Sequence, residues 1–220
     1  MFDDWVDSVD YIRENPEKFR ELLTQHIELT LAAVVIAIAI ALPLAVLVSR
    51  VQILAKPLTW LVSIGQTIPS LAVLALTLPY LGIGFRPALF ALTIRAILPI
   101  FLNAYVGIQS VDHAIIDAAR GMGSNRAQIL LMVQLPLAAP VIYAGIQTAT
   151  VQTIAVATLA AYIGGGGLGD LILQGLAMVD EPVLLAGAVP VALMAITAEF
   201  GMRQLRRFVV PAGLRVDSAR

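Results

Sequence analysis

The chain contains no cysteine. Disulfides, thiolate nucleophiles and cysteine-ligated metal centres are therefore excluded. Charge is scarce as well: Asp, Glu, Lys and Arg make up 13% of the 220 residues, against 59% hydrophobic ones. With a mean hydropathy of +0.88, that balance excludes an ordinary soluble domain and points to the membrane class. Only two lysines occur, Lys18 and Lys56; neither follows a glycine or precedes Ser or Thr. No Walker A phosphate loop can be built, so the chain is expected to bind no ATP of its own. The two histidines, His26 and His113, are isolated and lack metal-ligand spacing; no metal is expected, and both read as membrane-interface residues. A cleavable leader is not expected, since the first 25 residues are acidic rather than basic, with Asp3, Asp4, Asp7, Asp10, Glu14, Glu17 and Glu21, and the first apolar run is too long for a signal core.

What the chain has is long apolar runs. From Leu29 to Val48 no residue is charged, and about 20 residues at ~1.5 Å rise cross one hydrocarbon core. Further runs lie within Leu58 to Leu81, Ala88 to Gln109, Pro140 to Ile163 and Pro182 to Met202. The expectation is an all-α polytopic membrane protein with five transmembrane helices. Residues 1–25 form an external arm with a helix start at Asn15-Pro16, residues 26–202 the membrane domain, and residues 203–220 a tail. Small residues among the large ones, Ala155, Ala157, Ala160 and Ala161 on the fourth run, suit close helix packing. Arg50, Lys56, Arg120, Arg126, Arg203, Arg206, Arg207, Arg215 and Arg220 fall on one side of these spans; Arg13, Lys18, Arg20 and Arg86 fall on the other. The positive-inside rule then places the N-terminus outside and the C-terminus in the cytoplasm.

Residues 110–136, a loop between the third and fourth spans, lie on that cytoplasmic side. Val111 to Met122 reads as a short helix with a small face of Ala114, Ile115, Ala118 and Ala119. Gly123 supplies the positive φ that ends it. Ser124 or Asn125 then caps a second helix, with Gln128 completing a capping box, and Pro136 closes it ahead of the fourth span. A small-residue face admits a partner's groove, while Asp117 and Arg120 can pair with charges at its rim. Within the spans, Gln66, Thr67, Ser70, Asn103, Gln147 and Thr150 are uncharged hydrogen-bonding groups. They suit either a wet translocation path or interhelical bonding. Arg95 lies about 12 Å inside the third span by helical rise, where a charge requires a protein partner, water or an interfacial escape. Glu199 is placed near the end of the fifth span, at a different depth from Arg95. Gly164 to Gly169 fits G-x-G-x-x-G, but it follows a membrane helix rather than a strand, so a dinucleotide site is not supported. Gly164, Gly165, Gly166, Gly167 and Gly169 instead suit tight packing or an external gate.

Asp117-Ala118-Ala119, three residues, Gly123, nine residues, Val133, one residue and Leu135-Pro136 resemble the EAA loop of binding-protein-dependent ABC-importer permeases. Asp stands for Glu and Val for Ile. Gln66-Thr67-Ile68-Pro69-Ser70-Leu71-Ala72, Leu81-Gly82-Ile83-Gly84 and the segment from Ala160 to Asp170 narrow the likeness to osmoprotectant permeases for glycine betaine, carnitine or choline. Methionine-importer permeases carry a similar glycine-rich run, so the alternative is the same machine importing methionine or another amino acid; a secondary transporter is the alternative of another class. The resemblance implies a MetI-like permease bundle in a bacterial inner membrane and a non-catalytic subunit. Asp117, Ala118, Ala119, Arg120, Gly123, Leu135 and Pro136 would couple it to the ATPase. The implied partners are two cytoplasmic ATP-binding subunits that hold the ATP and magnesium, a second identical or homologous permease, and an external substrate-binding protein. Nucleic acid is not among them.

Overall fold

The computed structural model describes residues 2–210; Arg215 and Arg220, which contributed to the orientation argument, lie outside them. Ten α-helices are found among these residues. Helix α1 (Phe2–Glu14) leads through Asn15 into α2 (Pro16–Arg50), with the helix start at Pro16 as the dipeptide predicts. The break between α3 (Gln52–Thr67) and α4 (Ser70–Leu81) is followed by the long helix α5 (Phe85–Gln109). The connection after α5 holds α6 (His113–Gly121) and α7 (Arg126–Gln128), and α8 (Leu135–Ala157) follows. Helices α9 (Gly169–Met178) and α10 (Glu181–Val209) complete the bundle.

Among the described residues, four helical stretches are long and apolar enough to cross a membrane: Pro16–Arg50, Phe85–Gln109, Arg126–Ile163 and Glu181–Val209. The expected second span differs. Ile53–Thr67 and Ser70–Leu81 meet at 100°, so this segment is a sharply bent pair, the geometry of a broken span or of a re-entrant loop, rather than one straight helix. Pro69 has no N–H to continue α3 and its ring forces Ile68 into an extended conformation, φ −70° and ψ 126°.

Helix α5 packs along both α2 and α8, and these three form the centre of the molecule. The α2 seam is a small-residue ladder, Ala33, Ala37, Ala41 and Ala45, each 0% exposed. Repeats of four put these alanines on one face and bring the helix axes close, so that dispersion replaces the hydrophobic drive that lipid cannot supply. Ile100 and Phe101 of α5 fill the space opposite. On α8 and its extension, Ala157 and Ala160 are packed as expected, whereas Ala155 faces outward.

The arm is part of the bundle. Its first helix lies on α10, and its second half is the start of α2 itself. His26, expected at the interface, is fully buried: its Nε2 faces the Ile154 carbonyl at 3.0 Å. The cause is the chain after Ile163. Residues 164–168 fold over α2, and Gly167 donates its N–H to Gln25 Oε1 at 3.1 Å. Gly167 has φ +90°, and a Cβ there would sit 3.2 Å from the His26 ring, so glycine is required by both conformation and space. Gly164 and Gly166 lie in the same turn, and Gly165 abuts Ala88. A Cβ on Gly169 would overlap the Thr158 carbonyl oxygen. Gly169→Ala is therefore expected to destabilise the bundle by at least ~1–3 kcal/mol, read as a lowered unfolding temperature in detergent. An unchanged melting curve would refute this contact.

Candidate functional site: the α6–α7 helix pair and the break between α3 and α4

The helix pair is built from local rules. Asp112 caps α6, its carboxylate accepting the Ala114 N–H at 2.9 Å. Sequence reading started this helix two residues earlier, at Val111 rather than His113, and missed the cap, although an Asp just before an apolar helix face was the available signal. At the other end Gly123 takes φ +86°. Ser124 N–H reaches the Ala119 carbonyl at 3.1 Å and Gly123 N–H the Arg120 carbonyl at 2.9 Å, the paired bonds of a Schellman motif. The second helix is capped by Asn125, and Gln128 Oε1 returns to the Asn125 N–H at 2.8 Å, completing the predicted capping box.

The faces of α6 are sorted by burial. Ile116 and Ala119 turn inward onto Val111 and Ile129, with Val133 and Leu137 packed beside them. Ala114, Ile115, Asp117 and Ala118 face outward. Ala119 therefore belongs to the packing side, not to the outer small-residue face expected of it. Asp117 and Arg120 bond to each other at 3.0 Å rather than standing free for a partner. This exposed pair contributes little stability by itself.

Pro136 does not close a helix. Arg126 to Ile163 is continuous, and residues Ile129–Gln134 form a π-helical segment. Leu135 N–H bonds the Leu130 carbonyl five residues back. The wide turn accommodates the missing N–H and the ring of Pro136 without breaking the helix. Leu135 and Pro136 thus lie inside the continuous helix that runs from Arg126, just past the α6 turn, into α8.

The polar residues of the spans do not gather into one lining. Gln66 and Thr67 end α3 and Ser70 starts α4, so these three share the 100° break. Arg95 of α5 reaches the same place, its Nη1 lying 3.4 Å from the Gln66 and Ile68 carbonyls. Those carbonyls belong to a helix end with no further turn to satisfy them, and a guanidinium at a helix C-terminus is favoured by the dipole. Thr67 turns its hydroxyl to Ile64. The remaining polar residues are elsewhere. Asn103 bonds the Pro99 carbonyl in its own helix beside Gly145, and Thr150 bonds the Ile146 carbonyl. Gln147 donates to Glu199 of α10 at 2.7 Å, and Arg203 approaches Glu199 at 3.4 Å. Arg95 and Glu199 thus take different partners.

Among the described residues no cluster of His, Asp or Glu could hold a metal. The model of the binding-protein-dependent transport system inner membrane component matches residues 23–211. The carnitine transport permease protein OpuCB of Listeria monocytogenes is 41% identical over 207 residues, covering 94% of this chain and 95% of that protein. The glycine betaine/carnitine/choline transport system permease protein OpuCB of Bacillus subtilis is 41% identical over 191 residues, 87% and 88% of the two chains. The fold matches the inward-facing MetNI methionine ABC transporter with a TM-score of 0.80 at 21% identity, over 90% of this chain and 99% of that one. The chain belongs to the family of binding-protein-dependent transport system inner membrane components, the non-catalytic permease subunits of ABC importers.

Proposed function

We propose that this permease imports quaternary-amine osmoprotectants such as glycine betaine, carnitine or choline. The observation that carries the reading is the set of relatives at 34–41% identity over nearly the whole chain, whose names specify those cargoes or osmoprotectant import. The methionine alternative rests on a structure only 21% identical, which speaks for the fold alone. The outward face of α6, with Asp117 and Ala118, docks in a cytoplasmic ATP-binding subunit, one for each of two permeases. ATP and magnesium are held there, not in this chain. Two permease proteins of the same Bacillus subtilis system, OpuCB and OpuCD, match at 41% and 36%, which favours a homologous rather than identical second permease. An external binding protein delivers the substrate, and the N-terminus faces outward as the arginine distribution requires.

ATP binding closes the two ATPases and draws the two α6 helices together. The π joint passes that motion to α8, and the bundle switches from inward- to outward-facing; hydrolysis resets it. Gln66, Thr67 and Ser70, at the broken span, are the polar groups best placed to meet substrate. The glycine turn of residues 164–169 holds the external end closed. Deleting the gene is expected to abolish uptake of labelled glycine betaine at high osmolarity and leave methionine uptake unchanged. Loss of methionine uptake alone would reassign the cargo.

A further inference from the structure

The cytoplasmic-side ends of α2 and α5, the inner side of α6 and the start of the π-joined helix surround an open cavity of about 400 Å³. Its polar lining is Ser49, Arg50, Gln109, His113, Arg120 and Arg126, together with Gln134, and no carboxylate lines it. Three arginines from three separate elements therefore converge on one space. Asp117 bonds Arg120, and the Arg50 guanidinium spends one donor on the Arg126 carbonyl at 3.1 Å. The Arg126 guanidinium has no partner among the described residues. Like charges gathered this way repel unless an anion joins them, and guanidinium forks match phosphate oxygens in pairs.

The position identifies the source of that anion. Arg50 is the last residue of α2 and Gln109 the last of α5, so the cavity sits where two helices leave the hydrocarbon. The same helices carry exposed apolar side chains close by in the chain: Leu47, three residues before Arg50, and Leu131 and Met132, two and three past the lining residue Ile129, are 54%, 62% and 73% exposed. A soluble anion would use only the arginines, whereas a phospholipid would use both surfaces. We propose that this cavity is a headgroup site for an anionic phospholipid of the cytoplasmic leaflet. Arg50 and Arg126 grip its phosphate, Arg120 and His113 close over it from α6, and the acyl chains lie on Leu47, Leu131 and Met132. The bound phosphate ties α6 to the end of the first span, so lipid charge sets how firmly the coupling helix follows the bundle. The site rests on the orientation proposed above and is independent of the cargo.

The test uses the complete transporter in vesicles of phosphatidylcholine, with and without phosphatidylglycerol. Native mass spectrometry reads bound lipid, and ATP hydrolysis stimulated by the loaded binding protein reads coupling. At ~1 kcal/mol per arginine near an anionic surface, R50Q/R126Q weakens phosphatidylglycerol binding roughly 30-fold and removes its effect on coupling. R50K/R126K keeps most of both, which separates charge from a packing defect. Equal lipid binding in R50Q/R126Q overturns the proposal. Displacement of the lipid by inorganic phosphate assigns the site to a soluble anion instead. Loss of the ATPase subunit from R50Q/R126Q in phosphatidylcholine alone shows that the arginines belong to the subunit interface, and also overturns it. Because lipid binding is read without substrate, a failed betaine assay leaves this result standing.

Discussion

Replacing Gly123 with valine is expected to abolish ATP-driven transport while the chain remains inserted and assembled. Gly123 sits at φ +86°, and no heavy atom lies within 4 Å of where its Cβ would be. The substitution therefore meets no wall, and its whole effect falls on the backbone. An L-residue in this region costs ~1–2 kcal/mol, more when β-branched. Moving φ out of it breaks the pair of bonds from Ser124 to Ala119 and from Gly123 to Arg120, which fix where α6 stops and how the chain turns into α7. Ile116 and Ala119 belong to a small cluster of their own with Val111 and Ile129, separate from the α2–α5–α8 core, so the disturbance stays in the α6–α7 element. Gly123→Asn is the control, because asparagine tolerates the left-handed region, and it should retain most of the activity. ATP hydrolysis by the assembled complex, with and without loaded binding protein, is the measurement. Normal stimulation in the valine variant would falsify the coupling role of this turn.

Much of that turn was legible in advance, because it is made by rules that act over four or five residues. A glycine after an amphipathic segment and an Asn three residues before a Gln specify their own hydrogen bonds. The spans were legible for a related reason: hydropathy is a sum over neighbours and does not depend on the fold. The Ala33–Ala37–Ala41–Ala45 ladder is also written in the sequence, as an alanine at every fourth position of the first span. What stayed hidden depends on contacts distant along the chain. His26 looks like an interface residue until the turn at Gly167, some 140 positions later, is laid over it. Ala119 reads as part of a docking face until Val111 and Ile129 are found against it. Pro136 reads as a helix end because its missing N–H is visible, whereas the π segment that absorbs it is a property of the whole continuous helix. The in-span polar residues could not be sorted into path and packing at all. Asn103 and Thr150 bond within their own helices, Gln147 bonds across to α10, and only Gln66, Thr67 and Ser70 collect at one place.

At that place, Arg95→Leu is expected to reduce transport about tenfold or more. The charge at mid-span costs on the order of 2.5–3.5 kcal/mol on insertion scales, so its retention requires a compensating role. The structure gives one: the broken end of α3 presents carbonyls that no further helical turn satisfies, and Arg95 is the group aimed at two of them. A hydrogen bond to a charged group contributes ~1.5–3 kcal/mol, and at 3.4 Å the lower figure applies, which corresponds to roughly the tenfold loss stated. Leucine fills much of the volume but leaves both carbonyls unpaired, so the bend between α3 and α4 loses its tie to α5. Arg95→Lys keeps one strong donor and should recover part of the activity. The absence of native cysteine makes the structural half of the test clean. A single cysteine at Ile68 should label faster with a membrane-permeant maleimide in the leucine variant than in the parent, because the break has loosened. Unchanged labelling together with unchanged uptake would mean that Pro69 alone sets the bend. Unchanged labelling with lost uptake would move Arg95 from holding the broken span to contacting what passes it.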